Sequence, residues 1–222
     1  MRIFVLLPLL IVLGGCSKTP ILKYEIKGNT VTITDCDESA SGKLVIPAKI
    51  EGNPVTSIGD GAFSSCWRLT TIEVGEGNVN FTEVNGVLFN AEKTVLLTYP
   101  AGKKGANYTI PDGVTSIGIS AFTNSQFLRS ITIPDSVTSI GVRAFNRSSL
   151  TSITIPDSVT SIGSVAFSIC RNLTTVTFLG DAPKAGKYIF NGATPTIYRK
   201  PEAKGWGDTW AGRPVKLISE KP

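Results

Sequence analysis

The sequence predicts a solenoid of stacked repeats, α/β to mostly β in class, and three observations carry that reading. A phrase close to Ile-Pro-x-x-Val-Thr-Ser-Ile-Gly-x-x-Ala-Phe recurs, with Ile110-Pro111, Ile133-Pro134 and Ile155-Pro156 spaced by 23 and 22 residues. Phe122, Phe145, Phe167 and Phe190 follow at 23, 22 and 23. Each copy holds short runs in which apolar and polar residues alternate, as on a half-buried strand. Similarity at one fixed short period means stacked turns, each covering the apolar side of the next.

The chain opens on a segment outside the fold. Arg2 precedes an apolar run from Ile3 to Leu13. That run is too short to span a bilayer, which takes about 20 residues, and residues 1–15 read as an export signal. Leu13-Gly14-Gly15-Cys16 resembles the lipobox of bacterial lipoproteins, in which the signal is cut before a cysteine that becomes acylated. Cys16 is therefore the lipidation candidate and membrane lipid its partner. An ordinary signal with a chance cysteine is the competing reading, and the two small residues before Cys16 favour the lipoprotein. Several acyl chains on one residue make a stable anchor where a single chain does not. Ser17, rather than an aspartate that would resemble an inner-membrane retention signal, points to the outer membrane. Surface display there rests on family analogy. Residues 16–23 then form a tether.

Without Arg2 the count of 22 basic and 17 acidic residues leaves a net charge of +4. The bases are scattered, with Lys103-Lys104 the close pair, so the charge is weak support for a nucleic-acid partner, and none is expected.

From residue 24 to 218 the chain reads as one domain. Tyr24-Glu25-Ile26 and Thr30 to Thr34 flank Lys27-Gly28-Asn29 and make residues 24–43 a capping hairpin. The first arm of each repeat is Leu69 to Val74, Leu128 to Ile133, Leu150 to Ile155 or Leu173 to Phe178, with apolar residues at its first, fourth and sixth positions. Thr, Ile and Val suit a strand. The proline that follows in most copies lacks an N–H and ends it. The second arm is Val-Thr-Ser-Ile-Gly, as in Val114 to Gly118, Val137 to Gly141 and Val159 to Gly163. Its glycine is expected to turn the corner in a backbone conformation other residues resist. The Ala-Phe pair after it is expected on a short helical or 3₁₀ turn. Phe63, Phe122, Phe145, Phe167 and Phe190 are expected to stack as an internal spine.

One stretch breaks the rhythm. Phe63 and Phe122 lie 59 residues apart, 36 more than one 23-residue period. Within residues 75–109, Asn85 to Phe89 and Thr94 to Pro100 flank a polar Asn90-Ala91-Glu92-Lys93 and suggest a hairpin or an enlarged turn. At the far end, residues 195–218 read as a second cap. Trp206 and Trp210, at i and i+4, are expected on one face of a short helix, sealing the last turn.

Cys66 and Cys170 share one repeat position several turns apart, beyond the roughly 7 Å Cα reach of a disulfide. Both read as small buried hydrophobes. The chain contains no histidine, which removes the usual Ser-His and Cys-His arrangements and the commonest zinc ligand. Asp112, Asp135 and Asp157 recur after the Ile-Pro pair and read as turn caps. No catalytic residue, metal site or cofactor is expected.

Taken together, the period, the Ile-Pro-x-x-Val-Thr-Ser-Ile-Gly-x-x-Ala-Phe core and the Val-Leu-Phe…Leu-Leu-Thr-Tyr-Pro insertion resemble the BspA-like, or Treponema pallidum-type, leucine-rich repeat proteins of bacterial surfaces. The resemblance implies a right-handed solenoid with a parallel concave sheet, here of about six turns. It also implies adhesion to host matrix protein, a bacterial surface protein or glycan, without enzymatic activity. The outward columns of the first arm are the expected binding face: Thr70, Thr71 and Glu73; Arg129, Ser130 and Thr132; Thr151, Ser152 and Thr154; Thr174, Thr175 and Thr177. Threonine is also simply a good solvent-facing strand residue, so Glu73 and Arg129, which interrupt the ladder, are better candidates for specificity. A structural subunit of an envelope complex with no soluble ligand is the alternative.

Overall fold

The computed structural model describes residues 22–221. The signal segment 1–15, Cys16 and most of the tether lie outside them. Nearly all regular structure is strand, in about seven turns, one more than the repeat phrase alone suggests.

Two arms per turn build two files of strands. The first arm runs through Ser41–Ile46, Arg68–Val74, Asn107–Thr109, Ser130–Thr132, Ser152–Ile155, Thr175–Phe178 and Thr196–Arg199. Pairing along it is parallel but comes in three separate pieces. The second arm passes through Val95–Thr98, Ser116–Ile117, Ser139–Ile140, Ser161–Ile162 and Lys184–Ala185 as one parallel ladder. Identical registers follow from the repeat: Ile117 pairs with Ile140, and Ile140 with Ile162. At the N-terminal side, Leu22–Lys27 and Thr30–Cys36 form an antiparallel hairpin whose second strand runs parallel to Asn53–Ile58.

The aromatic spine is displaced by one member. Phe122, Phe145, Phe167 and Phe190 stack with ring centroids 5.0, 5.1 and 5.6 Å apart. Beyond Phe122 the next ring is Tyr99 at 5.1 Å, not Phe63. The long insertion puts Thr98-Tyr99-Pro100 where other turns have Ala-Phe, and Phe63 is buried in a separate cluster.

That separation is made by a meander absent from the other turns, in which Phe81–Val84, Val87–Asn90 and Val95–Thr98 pair antiparallel. Alternation along the middle strand sends Val87 and Phe89 into one apolar cluster and Leu88 into the other. Its neighbour Val95–Thr98 does the same, with Leu96 in the first cluster and Leu97 packed against the second.

Three sequence expectations need correction. The segments around Ala-Phe are not helical. They are chained turns with i→i+3 bonds, such as Ala121 N–H to Gly118 C=O and Thr123 N–H to Ser120 C=O. Left-handed residues interrupt them, Ser120 at φ 57° and Asn124 at φ 60°, and the same positions recur in later turns. Among the described residues the one regular helix is the 3₁₀ turn Ile218–Glu220. Trp206 and Trp210 are not on a helix either. Thr209–Trp210 pairs antiparallel with Arg213–Leu217 around Ala211 and Gly212, both left-handed. The two indoles, 5.7 Å apart, pack on Phe178.

The corner glycines of the second arm have no left-handed backbone at all; their role is close approach. A Cβ on Gly141, Gly163 or Gly186 would fall 2.8, 2.5 and 2.3 Å from backbone atoms of the preceding turn. Only a residue without one lets the turns stack at the strand spacing of about 4.8 Å.

Candidate ligand-binding face

On the first arm, the residues expected to face outward fall into two groups. Ser130 and Thr132 sit beside Ser152 and Thr154 on adjoining turns, and all four are exposed. Thr70, Thr71 and Glu73 are half-buried and stand apart from them. The tip of the meander lies between, with Ile72 N–H donating to Gly86 C=O at 3.0 Å and Gly86 seated on Thr71. Thr175 is half-buried, and Thr177 is only 7% exposed and leaves the candidate face. On the next strand its register partner is the buried Tyr198.

Hydrogen bonding separates structural hydroxyls from available ones. Thr151 and Thr174 donate to Arg129 C=O and Thr151 C=O at 3.2 and 3.1 Å, tying each turn to the one before. On the second arm, Thr115, Thr138 and Thr160 do the same at 3.2, 3.2 and 3.3 Å. Asp112, Asp135 and Asp157 take no hydrogen bond among the described residues. Their turns close through backbone bonds, such as Val137 N–H to Pro134 C=O, and the next residue in two of them, Ser136 or Ser158, donates across to the preceding turn. By contrast, the hydroxyls of Ser130, Thr132, Ser152 and Thr154 have no partner among the described residues.

The two charged candidates behave differently from the threonines. Glu73 pairs with Lys43 at 3.2 Å. Lys43 is exposed and the half-buried Glu73 still reaches solvent with its side chain, so the pair contributes at most about 1 kcal/mol. Arg129 turns back toward the corner, where Nη1 donates to Gln126 C=O at 2.8 Å and Ser149 C=O at 3.4 Å. It marks the edge of the face rather than its middle.

Sequence reading passed over that edge. At the start of the first arms, or just ahead of them, stand Trp67-Arg68, Lys103-Lys104, Phe127, Arg147 and Arg171. The signal was present, because these are variable letters within a phrase that otherwise repeats. Arg68 lies 4.2 Å over the Trp67 ring and Lys104 3.5 Å over that of Phe127.

Cysteine placement also exceeded the sequence reading. Cys66 and Cys170 are buried and free, as expected, and Cys36, also free, lies in the same apolar cluster as Cys66. Both thiols reach Asp37 C=O, at 3.7 and 3.4 Å, and hydrogen bonding to Cys66 followed by burial pushes the Cys36 thiol well above its ordinary range.

Two concavities bear on what the surface could hold. One of about 60 Å³ lies between Ile58–Ser64 and Gly118–Ser120, well below the roughly 300 Å³ where small-molecule sites begin. A larger open hollow of about 520 Å³ is lined by Asp157, Asp181, Lys200 and Glu202. Among the described residues no group of three metal-ligating side chains converges.

Comparison with known proteins agrees with this geometry. The chain is 35% identical, with a TM-score of 0.62, to a leucine-rich repeat protein of Eubacterium ventriosum, covering 71% of this chain and 42% of that one. It is 25% identical, with a TM-score of 0.68, to the pneumococcal vaccine antigen PcpA, covering 81% and 43%. The chain thus spans less than half the length of either. No curated protein matches it. Six copies of the BspA type leucine rich repeat region match residues 43–107 and 99–199. The chain belongs to the BspA-type leucine-rich repeat family.

Proposed function

We propose that the protein is a non-catalytic binding module of the bacterial surface, anchored in the outer membrane by acylated Cys16, that holds a protein or glycan against its first-arm face. The observation that carries this reading is the patch of Ser130, Thr132, Ser152 and Thr154, exposed and without hydrogen-bond partners in a fold that uses its other threonine columns to tie turns together. A flat strip of hydroxyls at strand spacing suits an extended partner met by many weak contacts. Membership of a surface-protein family and likeness to a pneumococcal antigen support display outside the cell. The sequence around Cys16 supports the anchor.

The test is an array of glycans and matrix proteins probed with the protein and with a Thr132→Val/Thr154→Val variant, which keeps β-compatible side chains. Loss of a bound ligand in the folded variant supports the first-arm face. Silence across the array, with envelope proteins co-purifying instead, would replace this reading by that of an assembly subunit.

A further inference from the structure

One corner of the solenoid, where each turn enters its first arm, carries a file of cations. Turn-to-turn hydrogen bonds stack this corner of successive turns: Gly102 N–H to Leu69 C=O, Gln126 N–H to Ala101 C=O, Ser149 N–H to Ser125 C=O and Thr174 N–H to Thr151 C=O. The cations are staggered across it, with Arg129 beside Thr151 and Arg147 beside Ser168. Along it stand Arg68, Lys103, Lys104, Arg129, Arg147 and Arg171, all exposed except the half-buried Lys103. Among the described residues none of the six forms an ion pair; the three pairs present use Lys23, Lys27 and Lys43.

Asp37 and Glu38 stand at the Arg68 end of this corner, where Cys66 Sγ donates to Asp37 C=O at 3.4 Å, and the recurring carboxylates lie on the other side. Asp112, Asp135 and Asp157 line the opposite corner, across a first arm of three or four residues. From Arg129 to Asp135 is six residues, up to roughly 20 Å at about 3.3 Å per residue and beyond the screening length of physiological salt. Arg129 and Lys103 are held by backbone carbonyls and Arg68 and Lys104 by ring faces, but no ion pair among the described residues neutralises the positive charge that these residues share with Arg147 and Arg171. Such a file is stabilised when a partner of opposite charge runs along it.

Sugar chemistry fits the rest of the corner. Trp67 and Phe127 are 42% and 37% exposed, each with a cation over one ring face. Single-stranded nucleic acid uses open aromatic faces for base stacking, and these are partly covered. The unpartnered hydroxyls of Ser130 and Ser152 lie immediately inside the edge. The spacing of successive turns is comparable with the length of one sugar ring along a chain.

We propose that this basic edge binds a linear acidic polysaccharide, laid along the solenoid axis with its carboxylates or sulfates against Arg68, Lys104, Arg147 and Arg171 and its hydroxyls toward the first-arm face. The inference rests on the reading of that face as a binding surface and names its ligand class.

Heparin, polygalacturonate, neutral dextran, phosphatidylglycerol vesicles and a single-stranded oligonucleotide are the probes, used with the protein and two triple variants. Lys104→Gln/Arg147→Gln/Arg171→Gln removes three charges from the edge. Lys27→Gln/Lys204→Gln/Lys216→Gln removes three exposed charges elsewhere. The expected result is salt-sensitive binding of the two acidic polysaccharides that weakens about tenfold or more in the edge variant and less than about twofold in the other. Equal weakening in both variants, equal binding of dextran, or tighter binding of vesicles or oligonucleotide overturns the proposal. If an array ligand still needs Thr132 and Thr154 while the edge variant binds it unchanged, the edge inference fails and the function stands. If neither array ligands nor polysaccharides bind, both fail.

Discussion

The rings of Phe145 and Phe167 lie 5.1 Å apart and within 2° of parallel, each fully buried between the arms of its own turn. Their stacking couples adjacent turns, so truncation of one ring is felt by its neighbours. Phe145→Ala is expected to cost about 3–5 kcal/mol, read as a lower midpoint in urea unfolding. Phe145→Leu, which keeps most of the volume, should cost clearly less.

Corner glycines make a second prediction, because two kinds exist. Gly163 has ordinary φ but no room, while Gly113 has φ 87° and open space around its missing side chain. Gly163→Ala should destabilise by about 1–3 kcal/mol through overlap with Val142 backbone. Gly113→Ala should cost only about 1 kcal/mol of left-handed strain. Thermal unfolding of the two variants checks the order, and equal costs would contradict the close-approach argument.

Val165 holds φ 55°, a conformation that β-branched residues rarely adopt. Tyr188 and Arg143 occupy the same place in neighbouring turns, and Gly61 fills it in an earlier one. Val165→Gly is therefore expected to raise stability by about 1 kcal/mol, measured by chemical denaturation.

Alkaline pH gives a signed prediction. Burial pushes the Cys170 thiol above 9.0 and the Tyr99 and Tyr108 phenols above 10.0. The folded state thus favours the neutral forms. Their contribution is complete below the ordinary values and is lost as pH climbs through the higher folded ones. Unfolding midpoints should be flat near neutral pH and fall above about pH 9. Tyr108 Oη is also buried without a partner, so Tyr108→Phe should both soften that alkaline fall and leave neutral-pH stability intact or higher.

Thiol reactivity follows from the same burial. Cys36, Cys66 and Cys170 should resist iodoacetamide in the folded protein and react on unfolding, as read peptide by peptide in a mass spectrometer.

What the sequence made legible was whatever the period repeats. The two arms, the Phe122-to-Phe190 stack and the proline-ended strands are local patterns copied in register. What it hid depends on distances between turns. Tyr99 joins the spine because an insertion shifts which residue meets Phe122, and no periodic count reveals that. The corner glycines looked like backbone-freedom residues because a missing Cβ reads the same whether conformation or proximity demands it. Trp206 and Trp210 had helical spacing, but the turn at Ala211-Gly212 made the segment a hairpin. Thr177 followed the outward column, yet it is buried beside its register partner Tyr198 at that end of the sheet.

The meander strand Val87–Asn90 acts as a bulkhead. Because Leu88 faces one apolar compartment while Val87 and Phe89 face the other, the halves share a wall without sharing a filling. Phe63 and Phe167 belong to different compartments, and the effects of Phe63→Ala and Phe167→Ala should add. A chain held at its N-terminal end and pulled at the other would yield compartment by compartment, giving up one while the second stays shut.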